Sequence, residues 1–340
     1  MTQARTKVAV IGAGYWGPNL IRNFSQAKGA HLQAICDNNP DNLKKVSGSY
    51  PGVALIKEYQ EIIDKRMAEA VCIATPVETH ERIAADFLSA GIHVFIEKPI
   101  TKTAAAARRI ADLAKAKGLT LMVGHVYLYH PAIREMRKII EQGQLGEVRV
   151  ARAVRTSLGP RVRTDVNIIW DYAIHECYIL PYLFGDRVVG ANAQGSAFLQ
   201  AGIEDWVSAT LRFKGGAYAT VYVSWADPLK ARTLTIVGSK RMLVYDELAE
   251  EKLRIYDRGY APHQGVDKYG NVDLSLYDRG FTNIPLDPAE PLRAEVEHFI
   301  GCVQGKAQPI SDGEHAYASI VLLERLQESV RQQGGFVSMP

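Results

Sequence analysis

Lys98 stands between Glu97 and Pro99, directly after the apolar run at residues 92–96, so a cation follows what reads as a buried strand. In open parallel sheets ligands bind beyond the carboxyl ends of strands, and a lysine there can meet a reacting hydroxyl. A second constellation is Trp170-Asp171-Tyr172-Ala173-Ile174-His175. Asp171 and His175 are four residues apart, which places them on one face of a helix. The carboxylate can orient the imidazole while the imidazole takes or relays a proton near neutral pH. Oxidising a secondary alcohol requires such a base, worth about 10²–10⁴-fold when well placed. Lys98 can lower the alcohol's pKa and stabilise the alkoxide, or act as base itself if desolvated. The residues leave the proton open between Lys98 and His175, and leave Asp171 and His175 the alternative of a solvated pair.

The element that would bring a redox cofactor to this lysine lies at the start. Residues 7–11 form a β-branched run, Gly12-Ala13-Gly14-Tyr15-Trp16-Gly17 follows, and residues 19–28 read as an amphipathic helix. In G-x-G-x-x-G the first glycine makes the turn, the second admits a pyrophosphate, and the third lets helix pack on strand. The helix N-terminus then faces the phosphates. Asp37 ends a second strand twenty residues beyond Gly17, where a carboxylate accepts the adenosine ribose hydroxyls. No arginine follows it, so the reading is NAD rather than NADP, with a helix cap or turn as the bland alternative for Asp37. Tyr15 and Trp16 can contact the dinucleotide or pack under the loop.

Strand and helix signals alternate up to residue 123, which argues a doubly wound parallel sheet. The rhythm changes near Gly124. A helix at 131–142 is followed by strands at 147–156, 205–213, 217–225, 232–238 and 241–246, and by helices at 290–304 and 316–332. The expected fold class is α/β: a Rossmann domain over 1–123 and a substrate-binding and oligomerisation α/β (α+β) domain over 124–340, with a large open, mostly antiparallel sheet. The final helices can pack back on the first domain, and residues 257–285 read as a long loop or hairpin insertion.

At 340 residues the chain is long for one domain, and a net charge of +3 offers no warrant for nucleic acid or membrane partners. The cysteines at 36, 72, 177 and 302 form no C-x-x-C or disulfide pattern, and no signal core or membrane-length apolar run is present. A reducing cytoplasm is the expected location. No His/Cys/Asp/Glu grouping has metal-ligand spacing, so no metal is expected.

Together, the Gly12–Gly17 turn, Ala74-Thr75-Pro76 with His80, Glu97-Lys98-Pro99 and Asp312-Gly313 resemble the Gfo/Idh/MocA family of oxidoreductases. The resemblance runs over nearly the whole chain. It implies NAD(P)-dependent chemistry on a sugar, cyclitol or sugar-nucleotide carbon, with Lys98 near the nicotinamide and Asp171 and His175 catalytic. It also implies Thr75, Pro76, His80 and Glu97 in the cofactor set, although His80 serves equally well to hold the Thr75-Pro76 loop. An outer sheet face that makes a homo-oligomer, dimer or tetramer, is implied as well. The Gly14-to-Asn19 variant resembles members of sugar-nucleotide pathways, which implies C3 of UDP-N-acetylglucosamine as the hydroxyl.

Ahead of the His175 helix, Arg155, Arg161 and Arg163 sit on a Gly/Pro loop with Asn167. Their planar forks suit a diphosphate, and Asn167 suits a sugar hydroxyl or acetamido group. Solvated or subunit-interface arginines are the equal alternative. Tyr127 can wall the sugar or line the domain junction, while His125 and His130 read as structural. The expected activity is therefore NAD-dependent oxidation of a nucleotide sugar to a keto sugar. The alternatives are a free-sugar or inositol dehydrogenase and, from another class, a non-catalytic dinucleotide-binding regulator.

Overall fold

The computed structural model describes residues 5–158, 166–261, 268–271 and 275–340. Two compact units emerge, one of Met1–His130 with Ala289–Val321 and the other of Pro131–Pro288 with Leu322–Pro340.

In the first unit, β1 (Thr6–Ile11) is followed by α1 (Gly17–Gln26), β2 (Ala30–Cys36), α2 (Pro40–Ser47), β3 (Ala54–Ile56), α3 (Gln60–Asp64), β4 (Ala70–Ile73), α4 (Val77–Ser89), β5 (His93–Glu97), α5 (Ala104–Lys117) and β6 (Leu121–Gly124). The strands pair in parallel in the order β3-β2-β1-β4-β5-β6. This is the doubly wound Rossmann order, with the chain reversing direction of growth between β1 and β4. Val8, Val10, Val71, Cys72, Phe95 and Ile96 are fully buried, as a sheet covered on both faces requires.

Gly124 still belongs to β6, and a 3₁₀ turn over Val126–Tyr129 closes this stretch. The later segment adds α8 (Pro291–Val303) and the first part of α9 (Gly313–Arg331) to the same unit. Phe299 of α8 explains the return: its ring meets Phe24 at 6.2 Å and Phe95 at 5.6 Å, both edge-on.

The second unit opens with α6 (Pro131–Glu141) and β7 (Val148–Thr156), then a π-helical turn over Ile169–Ala173 that runs into α7 (Ile174–Phe184). Next come β8 (Val188–Ser196), β9 (Trp206–Phe213), β10 (Tyr218–Ser224), β11 (Ala231–Gly238), β12 (Met242–Asp246), β13 (Leu253–Ala261), β14 (Ser275–Asn283) and, at the end, β15 (Val337–Ser338). Among the described residues nine strands lie in the order β14-β13-β12-β11-β7-β10-β9-β8-β15, and there only β7 with β10 is parallel. The large, mostly antiparallel sheet expected from the sequence is therefore present. The segment after 252 resolves into the β13–β14 hairpin, which extends the sheet edge.

β8 was not among the expected strands, and it carries Gly190, Asn192 and Gly195, residue types poor in strands. Gly190 instead serves packing: a Cβ there would lie 2.2 Å from the Phe336 ring.

Candidate functional site

The glycine turn after β1 is fixed by close approaches. Gly12 has φ +100°, and a Cβ on it would stand 2.6 Å from the Ala74 carbonyl oxygen; one on Gly17 would stand 2.2 Å from that of Gly12. No atom lies within 4 Å of the equivalent point on Gly14, so its open side is where a pyrophosphate can approach. No side chain caps α1 and no acid occupies its first turn, which suits an anion. Asp37, just past β2, is held rigidly: Oδ2 accepts from Ala13 N at 2.7 Å and from Asn42 Nδ2 at 3.2 Å, while Oδ1 accepts from Asn39 N at 2.8 Å. A glycine cradle, a free helix end and an anchored carboxylate fit NAD.

Tyr15 is 98% exposed, whereas the Trp16 indole donates to Glu97 Oε1 at 2.9 Å. Trp16 thus ties the glycine turn to the end of β5. His80 is buried on α4, with Nε2 2.8 Å from Thr75 O and Nδ1 3.0 Å from Pro99 O. It clasps the loops that follow β4 and β5, and burial lowers its pKa against the pull of the two carbonyls. Of the two roles open to His80, these contacts match loop-holding.

Lys98 is half-buried at the carboxyl end of β5, and the Lys98–Pro99 peptide is cis. Burial pushes the neighbouring Glu97 carboxyl up to about 7, opposed by Lys98 and by the Lys98 and Trp16 N–H donors. Glu97 also explains Gly124, where a Cβ would come within 2.9 Å of Oε1. On α8, the fully buried Glu295 has no hydrogen-bond partner for either oxygen among the described residues, and burial followed by Glu97 raises its pKa well above the ordinary range. Neither Glu295 nor its burial is signalled in the sequence. Tyr127 is half-buried and stacks on His130 at 6.1 Å.

In the second unit, Asp171 lies inside the π-helical turn and His175 in the first turn of α7. Single π turns recur at functional sites. His175 Nδ1 lies 2.8 Å from the Tyr178 hydroxyl, whose ring is fully buried and edge-on to the imidazole. Tyr178 is a residue the sequence reading missed; its spacing of three from His175 was the available signal.

Two of the expected substrate contacts have partners within the protein. Arg155 is 6% exposed, and its guanidinium pairs with the equally buried Glu176, Nη2 to Oε1 at 3.0 Å. Asn167 donates to Glu204 at 2.6 Å and Gln327 at 2.5 Å and accepts from Trp170 N, so its amide holds the π-helical turn. Arg161 and Arg163 lie outside the described residues. Among the described residues no cluster of His, Cys, Asp or Glu could hold a metal ion, and no helix is long and apolar enough to cross a membrane.

Comparison with known proteins gives the family. A model described as "Oxidoreductase family, NAD-binding Rossmann fold" matches residues 6–125, and one for the GFO/IDH/MocA C-terminal domain matches residues 133–244. An inositol 2-dehydrogenase of Corynebacterium glutamicum is 28% identical over 63% of this chain, and the match spans 66% of that enzyme, just under two thirds. A UDP-N-acetylglucosamine 3-dehydrogenase of Acidithiobacillus ferrooxidans is 26% identical over 90% of this chain and 91% of its own length. An oxidoreductase from Agrobacterium radiobacter, solved with NAD+, L-tartaric acid and magnesium, superposes with a TM-score of 0.83 at 21% identity, covering 99% of each chain. The chain belongs to the Gfo/Idh/MocA family of NAD-binding oxidoreductases.

Proposed function

We propose that this oxidoreductase is a dehydrogenase that oxidises a secondary hydroxyl of a nucleotide sugar to a ketone, with C3 of UDP-N-acetylglucosamine as the leading substrate. The observation that carries the substrate is the alignment with the Acidithiobacillus enzyme, which spans nine-tenths of both chains. The match to inositol 2-dehydrogenase supports the second reading, a cyclitol or free sugar. With Arg155 buried against Glu176, a diphosphate clamp rests on Arg161 and Arg163 alone.

Bound NAD supplies the two-electron acceptor for the hydrogen leaving carbon. Gly12, Gly14 and Gly17 would hold its pyrophosphate and Asp37 its adenosine ribose. Tyr15, Trp16, Thr75, Pro76 and Glu97 complete the proposed cofactor set, with His80 fixing two of its loops. Lys98 is assigned the substrate hydroxyl: its ammonium lowers the alcohol's pKa and stabilises the developing alkoxide. His175 is assigned the proton, with Tyr178 holding Nδ1 and Asp171 the orienting carboxylate. The proton acceptor is whichever of Lys98 and His175, when replaced, abolishes the acid limb of the rate profile, because a base must be unprotonated to take the proton. Tyr127 is retained as a sugar wall.

A homo-oligomer through the second unit's sheet is part of the proposal. Phe281, Tyr256, Met242, Val237, Val150 and Tyr218 lie directly opposite one another across six strands. Phe281 and Tyr218 are 53% and 46% exposed, so this row is an apolar face suited to a second copy. Four free, buried cysteines support a cytoplasmic setting.

The test is incubation with NAD and a panel of UDP- and dTDP-sugars, inositols and free aldoses, following absorbance of the reduced nicotinamide. Turnover restricted to UDP-N-acetylglucosamine supports the lead. Turnover restricted to inositols or aldoses replaces it with the second reading, and none with any alcohol favours a dinucleotide-binding regulator.

A further inference from the structure

We propose that His125 and His315 are positioning residues for Lys98: two imidazoles, delivered by separate chain segments, that fix its amine without setting a negative charge against it. This rests on the reading that Lys98 handles the substrate hydroxyl.

Register brings the first imidazole. β5 and β6 run in parallel with Ile96 opposite Val123 and Glu97 opposite Gly124, so Lys98 and His125 leave the sheet side by side. His125 is 1% exposed, and after burial and His315 the charge of Lys98 is the third cause that lowers its pKa.

The second arrives from the opposite end of the sequence. Ser311 O accepts from Val123 N at 2.8 Å, and Ser311 Oγ donates to Val123 O at 2.7 Å, which docks the segment along β6. Asp312 then caps α9, accepting from His315 N at 2.9 Å. Gly313 permits the close approach, since a Cβ would lie 2.7 Å from that of Ala111. The outcome is an edge-on contact between the His315 and His125 rings, with centroids 5.3 Å apart. Nε2 of His315 is buried and has no hydrogen-bond partner among the described residues. The Asp312-Gly313 motif thus has a physical purpose: it lays an imidazole on His125.

The groups around the pair set its charge. Lys98 and Glu97 come from the end of β5, and Asp312 from the start of α9. Burial, His315 and Lys98 all push the His125 pKa well below its ordinary range. Burial lowers that of His315 as well, opposed by Asp312. A neutral imidazole accepts from an ammonium or donates to a free amine, so it serves both protonation states of the lysine. A carboxylate in its place would neutralise the charge needed by an alkoxide and hold the proton more tightly.

The experiment labels the protein without cofactor or substrate by reductive methylation with formaldehyde and a borane reductant, across pH, and reads Lys98 modification by peptide mass spectrometry. In His125→Asn and His315→Asn, water replaces a ring and the labelling midpoint should move to higher pH by about half a unit or more. His125→Asp should move it further in the same direction. If His125→Asn fails to fold, His315→Asn, on the half-buried partner, carries the test. An unmoved midpoint in folded variants overturns the proposal. The outcome is independent of turnover, so an active Lys98→Ala enzyme would sink the functional reading instead.

Discussion

The Trp16 indole and the Glu97 carboxyl meet at 2.9 Å, joining the glycine turn to the strand end that presents Lys98. Glu97 is therefore both a structural acceptor and a titrating group. A rearranged turn would break its contact, and an ionised Glu97 would change the field at Lys98.

Stability should report this titration. The folded carboxyl titrates near 7, above its ordinary 4.5, so the native state binds more protons than the unfolded state between those values. The associated stabilisation is present below about pH 4.5 and is lost as pH rises through about 7. At about 1.4 kcal/mol per pKa unit it amounts to at most about 3.5 kcal/mol. Glu295 shifts in the same direction. Urea unfolding at pH 5, 6, 7 and 8 should show a decline in the parent that Glu97→Gln flattens, and Glu295→Gln should flatten it further. Identical slopes in parent and variants would contradict the burial argument.

Lys98→Ala separates chemistry from binding. The amine is assigned to the alcohol rather than the dinucleotide, so turnover should fall about 10²–10⁴-fold, the usual worth of a placed acid–base group. The dissociation constant for NAD, from titration calorimetry, should stay within about threefold of the parent. Undiminished turnover removes Lys98 from the mechanism.

Asp37 tests the cofactor preference. Its three hydrogen bonds hold the carboxylate at the end of β2, where the ribose hydroxyls of NAD would reach it and a 2′-phosphate would be repelled. Asp37→Ala should weaken NAD at least about tenfold, because a charged acceptor is lost, while NADP weakens less or gains. Equal losses for both would mean that Asp37 only braces the turn.

How much of this was legible beforehand depends on how local the signal is. Parallel strands buried on both faces announce themselves as apolar runs, and Gly12, Gly17 and Lys98 occupy positions set by short stretches of chain. Glu295 and His315 were silent because their roles come from what other segments lay against them, whereas Tyr178 was legible only as a spacing of three from His175. β8 was not expected because Gly190, a glycine that admits a distant Phe336 ring, looks the same in sequence as one that bends the chain. The pairing of Arg155 was hidden for a related reason: its partner Glu176 lies 21 residues on, beyond any helical or hairpin spacing.

Arg155 also allows the two accounts of the arginine loop to be told apart. The guanidinium and the Glu176 carboxylate are each 7% exposed by side chain, and burial raises the Glu176 pKa while Arg155 lowers it. Breaking such a pair strands a buried charge and costs about 3–5 kcal/mol, whereas replacing both partners by apolar groups is often neutral. Arg155→Met should therefore destabilise strongly, and Arg155→Met with Glu176→Leu should recover most of the loss in urea unfolding. A phosphate-binding arginine would behave differently: Arg155→Met would leave stability nearly unchanged and raise KM for a nucleotide sugar while sparing a free sugar. Non-additive recovery in the double variant means that Arg155 anchors α7, and so His175, to the end of β7.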